Sequence, residues 1–423
     1  KQPRMQLELP TIQNWNCHNC SGCCQQHLIE VTEEERQRII NQKWEEEDFL
    51  SAGEEVLKPM SSMSWNQKYR LAHTNDGACI FLNEEGLCRI HAKFGETAKP
   101  LPCRIYPYVF HPAGKKVAVS LRYSCPSVVA NLGEAVSAQK KEIKKIAELV
   151  VPDWIQEDST PPIHSGEYVE WNDFRRFVRA LDETIGQPDA PFVVRLLRAI
   201  FWIEIVSQSK FDALQGTRLD EFLDLIRDAV ASEIPDLKEF DPPSKVGQVH
   251  FRMLAASYSR RDTVTDLSSG WKGRWHLFKS IIAFTRGKGN APPLQNVFKP
   301  IPFAQLEKPF GPLPAEAEKL FARYFRVKIQ GFHFCGRGYY NVPLVEGFQS
   351  LALVYPAVLW ISRWLAASDG RTRFIMEDIT QALAIADHHH GFSAAFGQKT
   401  SRKRVKQLAQ LHDIGKLAVW YSQ

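Results

Sequence analysis

The run Cys17-His18-Asn19-Cys20-Ser21-Gly22-Cys23-Cys24 places four thiols within eight residues, which is too many for packing alone. Eight of the nine cysteines lie in the first 125 residues, whereas Cys335 stands alone. The other four of the eight are Cys79, Cys88, Cys103 and Cys125. Clustered thiols in a reducing compartment hold metal more often than they form disulfides. We therefore predict that the N-terminal third is a metal-binding module, which the rest of the chain supports and presents to a partner.

The chain has 423 residues, which is enough for two or three domains with buried cores. Its 44% hydrophobic and 24% charged residues are typical of a globular protein. The net charge of +5 is spread along the chain, apart from one basic run over 399–406. No aromatic or glycine-rich RNA-binding signature accompanies that run. We interpret it as the solvated start of a helix and expect no nucleic-acid partner.

Two features of the sequence indicate where in the cell the protein is expected to be. The first residues, Lys1 to Arg4, lack the apolar region of a secretory signal. The longest apolar stretch, 350–367, contains Pro356 and Arg363, whereas a membrane span needs about 20 mostly uncharged residues. We interpret this stretch as a buried helix. The expected location is the cytoplasm, with no membrane partner.

Patterning in the cysteine-rich part predicts short helices and hairpins. Thr32 and Glu35 fit a capping box, which predicts a helix over about 33–50. Glycine-containing turns predict two hairpins, over 79–90 and 105–123. Each hairpin would bring two of the cysteines together.

From residue 133 onward, apolar residues recur at helical spacing. The predicted helices cover 135–151, 168–185, 192–207, 218–234, 314–327, 347–367, 376–388 and 401–419. The Gly- and Pro-rich stretch 287–302 is the best linker candidate. The expected fold class is α+β and predominantly α-helical. A small cysteine-rich domain with short hairpins (1–130) would precede a helical domain (131–290) and a C-terminal helical region (291–423).

The local cysteine spacing is C-x2-C-x2-C-C. Short loops let thiols at x2 intervals converge on one face of an iron–sulfur cubane, and bacterial ferredoxins draw a further ligand from a distant Cys-Pro pair. One four-thiolate site could then use Cys17, Cys20, Cys23 and Cys125, and a second could use Cys24, Cys79, Cys88 and Cys103. Structural zinc takes the same ligands. We interpret the cysteines as ligands of one or two iron–sulfur clusters, with zinc as the alternative and with disulfides or inert buried thiols as further interpretations.

Four blocks of sequence together resemble a known family, the CxxCxxCC zinc- or iron-chelating domains. The blocks are Cys17-x2-Cys20-x2-Cys23-Cys24, Asp76-Gly77-x-Cys79-x-Phe81-Leu82, Gly86-x-Cys88-x-Ile90-His91 and Lys99-Pro100-x2-Cys103-Arg104-x-Tyr106-Pro107. The resemblance covers residues 10 to 130. It implies that all eight clustered cysteines are metal ligands.

The helical remainder resembles the flagellin lysine-N-methylase branch of that family. The similar features are Arg323-Tyr324-Phe325, the apolar helix over 350–367 and Asp387-His388-His389-His390. This resemblance implies a 4Fe–4S enzyme that transfers methyl groups from S-adenosylmethionine to lysine ε-amines of flagellin or another surface protein. It assigns no base. The alternative is a non-catalytic zinc- or iron-binding protein with an interaction or metal-handling role.

Lysine methylation needs a neutral amine, although free lysine has a pKa of about 10.4. Aromatic walls suit the reaction, because they bind a cationic sulfonium and shape a lysine channel. We expect Arg104, Tyr106 and Tyr108, next to Cys103, to line a substrate or cofactor pocket. A second aromatic set is Phe332, Phe334, Tyr339 and Tyr340, and core packing is the alternative interpretation of both sets. The glycine-rich nucleotide loop of ordinary methyltransferases is missing from the sequence.

Overall fold

The computed structural model describes residues 5–44, 49–50, 54–60, 68–151, 159–260 and 270–423. Its α-helices are α1 (Gly22–Gln26), α2 (Glu33–Ile40), α3 (Arg89–Phe94), α4 (Leu101–Ile105), α5 (Pro126–Val129), α6 (Lys140–Val150), α7 (Trp171–Gly186), α8 (Phe192–Ser207), α9 (Thr217–Glu233), α10 (Lys245–Ser259), α11 (Gly270–Arg286), α12 (Phe303–Leu306), α13 (Ala315–Gln330), α14 (Leu344–Ala352), α15 (Val354–Ser368), α16 (Met376–His389), α17 (Ala394–Gly397), α18 (Lys399–Gln410) and α19 (Asp413–Tyr421). Its strands are β1 (Gln6–Glu8), β2 (Glu30–Val31), β3 (Leu57–Pro59), β4 (Tyr69–Leu71), β5 (Tyr108–Ala113), β6 (Lys116–Leu121), β7 (Asn290–Ala291) and β8 (Ile301–Pro302). Helices dominate and strands are short, which confirms the predicted fold class.

Local sequence signals explain the first elements. Thr32 and Glu35 form the predicted capping box at the start of α2, which ends at Ile40, earlier than expected. The turn before Cys88 is also present, but its flanks pair only through the single bridge between Leu82 and Cys88, and α3 follows at once. A full hairpin was therefore wrong there, because the chain turns helical directly after Cys88.

The second predicted hairpin is confirmed as β5 and β6, which pair from Tyr108–Leu121 to Ala113–Lys116. Strand β1 adds to the free side of β6 in parallel, so β6 is the central strand of the sheet. Glu8 fastens β1, because its Oε1 lies 3.0 Å from both Lys116 Nζ and Arg175 Nε. A second three-stranded sheet has the order β2-β4-β3.

Buried apolar side chains of the described residues form two cores. The smaller core lies among β2, β4, α2 and α3, where Ile39, Trp44, Phe81 and Ile90 are at most 2% exposed. The larger core runs through the helices and also includes β1, β6 and α5. The segment that carries Cys125 therefore packs with the helical body. The domain boundaries at 130 and 290 stay predictions.

The apolar stretch near 350–367 forms two consecutive helices, α14 and α15, joined at Leu353. Together, Leu344–Ser368 are long and apolar enough to span a membrane, but 89% of the most apolar window is buried inside the fold. Arg363 within it is fully buried and donates hydrogen bonds to the carbonyls of Leu306 and Tyr421. This agrees with the predicted buried core helix.

A charged pair lies deep in the larger core. Lys328 on α13 and Asp387 on α16 are fully buried, and Lys328 Nζ lies 2.6 Å from Asp387 Oδ1. Lys328 Nζ also donates to the carbonyl of Leu121, at 3.1 Å, and Asp387 accepts the backbone N–H of Tyr123. Burial lowers the pKa of Lys328, and the Asp387 carboxylate opposes that shift. The pair therefore links two helices to the end of β6.

Lys328→Met should lower the free energy of unfolding by about 3–5 kcal/mol, because it leaves the Asp387 carboxylate buried without its cation. Denaturant titration measures the change. Lys144→Met is the matched control: Lys144 pairs with Glu148 at 3.7 Å near the surface, and its loss should cost less than about 1 kcal/mol. Equal losses in the two variants would contradict a structural role for the buried pair.

Candidate metal centre

The first cysteines lie in a tight loop that leads into α1. Asn19 and Ser21 adopt positive φ angles of 52° and 60°, which turn the chain sharply on either side of Cys20. Ser21 Oγ then donates to the carbonyl of Gly86, at 3.2 Å. A Cβ on Gly86 would lie 2.7 Å from that Oγ, so the close approach requires glycine. The loop is thereby held against the turn that precedes Cys88.

The other cysteines of the N-terminal third lie in a loop that bonds to α1 and at, or within, the short helices α3, α4 and α5. The backbone N–H of Cys79 donates to the carbonyl of Cys24, at 2.8 Å. Cys88 is the residue immediately before α3, and Cys103 lies within α4. Cys125 immediately precedes α5. The N-terminal ends of short helices thus carry several of these thiols, where backbone N–H groups favour a thiolate.

Five thiols lie close enough to affect one another's protonation: Cys23, Cys24, Cys79, Cys88 and Cys103. Cys23 Sγ and Cys24 Sγ are 4.0 Å apart and share a hydrogen bond. That bond lowers the pKa of Cys23 to about 6 and raises the pKa of Cys24. Burial raises the pKa of Cys79 to about 12 and also raises the pKa of Cys103, and neighbouring thiolates add to both shifts. We call these residues the five-thiol group.

Cys20 and the segment that begins with Cys125 both lie near Gly22, at the start of α1. A Cβ on Gly22 would lie 3.1 Å from Pro126 Cδ and 3.7 Å from Cys20 Sγ, so the loop passes close to the start of α5. Burial raises the pKa of Cys125, and the charge of Cys20 adds to the shift. Cys17 lies in the same loop and is exposed.

The observed grouping differs from the sequence-based division in one cysteine. Cys23 was expected to join Cys17, Cys20 and Cys125, because adjacent thiols were expected to diverge. Instead its sulfur approaches that of Cys24 at the first turn of α1. The ninth cysteine, Cys335, is buried in the larger core, apart from both groups.

The donor chemistry fits zinc or iron, since both take thiolate ligands. All nine cysteines are free thiols, so none is paired in a disulfide. Among the described residues, no three His, Cys, Asp or Glu side chains are spaced tightly enough to hold a metal ion as they stand. Zinc–sulfur bonds are about 2.3 Å long, so ligation requires side-chain rotations that draw the sulfurs inward. The set of eight ligands stays a prediction.

The carboxylate of Glu35 connects the capping box with the helix that carries Cys103. Its Oε2 accepts the N–H of Thr32 at 2.8 Å, and its Oε1 accepts the N–H of Leu101 at 2.6 Å. Glu35 is 6% exposed, so both bonds are shielded from water. Lys99, two residues before Leu101, lowers the pKa of Cys103 by its positive charge, against the larger effect of burial.

A cavity of about 410 Å³ is lined by Pro102 and Ile105, which are close neighbours of Cys103 in α4. Tyr106, Tyr108 and Phe110 also line it. Arg104 is not among the lining residues: its Nε lies 4.0 Å from Glu96 Oε1. The side chain of Arg104 leaves α4 toward Glu96. The assignment of Arg104, Tyr106 and Tyr108 to a substrate or cofactor pocket stays a prediction.

Tyr106 lies between the cavity and the thiols. Burial raises its pKa, and the nearby charges of Cys125 and Cys23 add to that shift. Its hydroxyl is 3.3 Å from Ser124 Oγ. The second aromatic set packs in the core: Phe332 stacks on Phe174, at 6.0 Å between ring centroids, which agrees with the core interpretation.

The sequence did not reveal how α16 meets the cysteine region. His27, directly after α1, stacks on His388 with ring centroids 4.9 Å apart and meets Tyr106 edge-on at the same distance. Arg122, at the end of β6, donates from Nη2 to the carbonyl of His388 at 3.4 Å. A run of three histidines, His388 to His390, lies at the end of α16. Its three rings point to different partners, as consecutive helical positions require, and His390 is fully buried.

The fold and the thiols together define a helical protein with an N-terminal cysteine-cluster domain. Residues 16–126 match the family model CxxCxxCC, described as a putative zinc- or iron-chelating domain. The four sequence blocks predicted this match. No curated protein and no solved structure matches the chain. The resemblance of residues beyond 126 to flagellin lysine-N-methylases stays a prediction.

Glu35→Ala should lower the free energy of unfolding by about 1–3 kcal/mol, because it leaves the N–H groups of Thr32 and Leu101 without their acceptor. It should also weaken metal retention, since α4 loses its link to α2. Denaturant titration and metal analysis measure the two effects. Glu34→Ala, at an exposed neighbouring position, is the control and should change neither. Unchanged stability in Glu35→Ala would refute the positioning role.

Proposed function

We propose that the cysteines of this domain bind a thiophilic metal, either as a 4Fe–4S cluster or as zinc. The observation that carries the proposal is the five-thiol group, in which Cys79 and Cys103 are mostly shielded from water beside Cys23, Cys24 and Cys88. When bound, the metal would favour the deprotonated form of the thiols and join the short elements that carry them. Cys20, Cys125 and Cys17 offer a second set of ligands.

For the activity, we propose transfer of methyl groups from S-adenosylmethionine to lysine amines of a protein such as flagellin. The cavity beside Cys103 supports this proposal, because its tyrosine and phenylalanine rings suit a cationic sulfonium and an alkyl chain. In the reaction, the lone pair of a neutral amine bonds to the methyl carbon while the carbon–sulfur bond breaks. Its electron pair stays on sulfur, which yields S-adenosylhomocysteine, and the amine proton passes to solvent.

The walls of the cavity would have two tasks in this reaction. Tyr106, Tyr108 and Phe110 would desolvate the lysine amine, which favours its neutral form. They would also hold the amine and the methyl carbon in line at roughly 3–3.5 Å. The proposed setting is the cytoplasm, where flagellar or other surface proteins are available before export.

The second candidate function is non-catalytic metal binding. The five-thiol group supports this candidate equally well, since bound metal would stabilise the folded N-terminal domain. The stacking of His27 on His388 would connect the stabilised domain to α16 and so to the helical body. The two candidates differ in one outcome, the appearance of methylated lysine.

Cys103→Ser and Cys20→Ser should lose metal and destabilise the N-terminal domain, because serine replaces a thiolate poorly on zinc or iron. Anaerobic purification with iron, sulfide and zinc analysis measures the content: iron with equivalent sulfide identifies a cluster, and zinc without sulfide identifies zinc. Cys335→Ser is the matched control and should retain full metal. Full metal content in Cys103→Ser would contradict the assignment of the five-thiol group.

Incubation of the metal-loaded protein with labelled S-adenosylmethionine and flagellin, or a surface protein from a neighbouring gene, should yield methylated lysine in mass spectra. Tyr106→Ala should reduce the rate about tenfold, since it removes one aromatic wall, with metal content unchanged. No methylated lysine in any of these substrates would favour the non-catalytic candidate.

A further inference from the structure

Two arginines, Arg122 and Arg337, line the cavity beside Cys103, and the proposed function uses neither. Arg122 lies in the cavity wall, between Tyr106 on one side and Phe392 on the other. The guanidinium carbon is 3.8 Å from the centroid of the Phe392 ring and 5.8 Å from that of Tyr106. Two aromatic rings therefore fix the plane and position of the guanidinium.

The hydrogen bonds of Arg122 are largely unfilled. Its Nη2 donates to the carbonyl of His388 at the long distance of 3.4 Å. Its Nε–H is shielded from water and has no acceptor among the described residues. No carboxylate of the described part of the chain forms an ion pair with Arg122. Asp387, a carboxylate whose charge reaches Arg122, forms its ion pair with Lys328. Burial accordingly lowers the pKa of Arg122, and the more distant Asp387 only partly offsets this effect.

A guanidinium that is partly withdrawn from water without a counter-ion is costly unless a ligand supplies the anion. Its planar set of N–H groups matches a carboxylate, which can accept two parallel hydrogen bonds. The flanking rings offer flat surfaces for an aromatic ring of the same ligand. The wall is thus complementary to a small molecule that carries both a carboxylate and a flat ring system.

We propose that Arg122 binds the carboxylate of S-adenosylmethionine, while Tyr106, Tyr108 and Phe392 contact the rest of the molecule. This inference rests on the proposed methyl transfer and adds the residue that recognises the amino-acid end of the cofactor. Arg122 reaches the cavity from the end of β6, and its side chain lies against α16. The lysine would then approach from the open side of the cavity.

The test is calorimetric titration of the metal-loaded protein with two ligands, S-adenosylhomocysteine and 5′-methylthioadenosine. The two share the adenosine thioether, but only the first has a carboxylate. Arg122→Gln should weaken binding of S-adenosylhomocysteine about 10- to 100-fold, because a charged hydrogen-bonded pair is lost. Binding of 5′-methylthioadenosine should change less than about threefold.

Two further variants distinguish loss of the Arg122 contact from a general loss of folding. Arg122→Lys retains the charge without the planar donor set, so S-adenosylhomocysteine should bind with intermediate affinity. Arg36→Gln removes another arginine that lies over a ring, 4.3 Å from the centroid of Tyr69, but outside the cavity. It should leave both affinities unchanged. Thermal unfolding and metal content verify that each variant is folded.

Each outcome decides the question. Equal weakening of both ligands, or no weakening of S-adenosylhomocysteine in Arg122→Gln, would overturn the role of Arg122 and leave the methyl-transfer proposal standing. Failure of the wild-type protein to bind either ligand would overturn this inference together with the methyl-transfer proposal. Loss confined to the ligand with the carboxylate supports both.

Discussion

The close placement of several thiols, each of which opposes the ionisation of its neighbours, is the constraint on which the N-terminal domain depends. Cys23 and Cys24 have sulfurs 4.0 Å apart, and neither can ionise without raising the pKa of the other thiols nearby. The chain accepts this arrangement because backbone contacts impose it, including the bond from Cys79 to the Cys24 carbonyl. The domain therefore holds the thiols together mostly in their protonated form, and a divalent cation or a cluster would supply the positive charge that favours their ionisation.

The same physical reasoning applies to the helical body, where a buried charged pair is used as a junction. Lys328 and Asp387 connect α13 and α16, and each also bonds to the backbone at the end of β6. The end of α16 next contacts Arg122 and stacks on His27 through its histidines. The contacts of His388 with Arg122 and with His27 thus connect the cysteine region to the larger core, beside the cavity.

Features set by local chemistry were predictable, and those set by distant contacts were not. The capping box at Thr32 and the β5–β6 hairpin follow from short-range turn and cap preferences, and both were correct. The side-by-side sulfurs of Cys23 and Cys24 were missed, because spacing does not give side-chain directions. The pair of Lys328 with Asp387 was also missed, since a lysine in sequence normally indicates surface, and the partner lies on another helix.

The parallel pairing of β1 with β6 has a practical consequence for handling the protein. Strand β1 pairs with one edge of β6, and most residues of β6 are buried. Removal of residues 6–8 would therefore expose an apolar strand edge whose backbone N–H and C=O groups have no partners. Such an edge recruits other strands and promotes aggregation. Shortened variants should therefore keep residues 6–8.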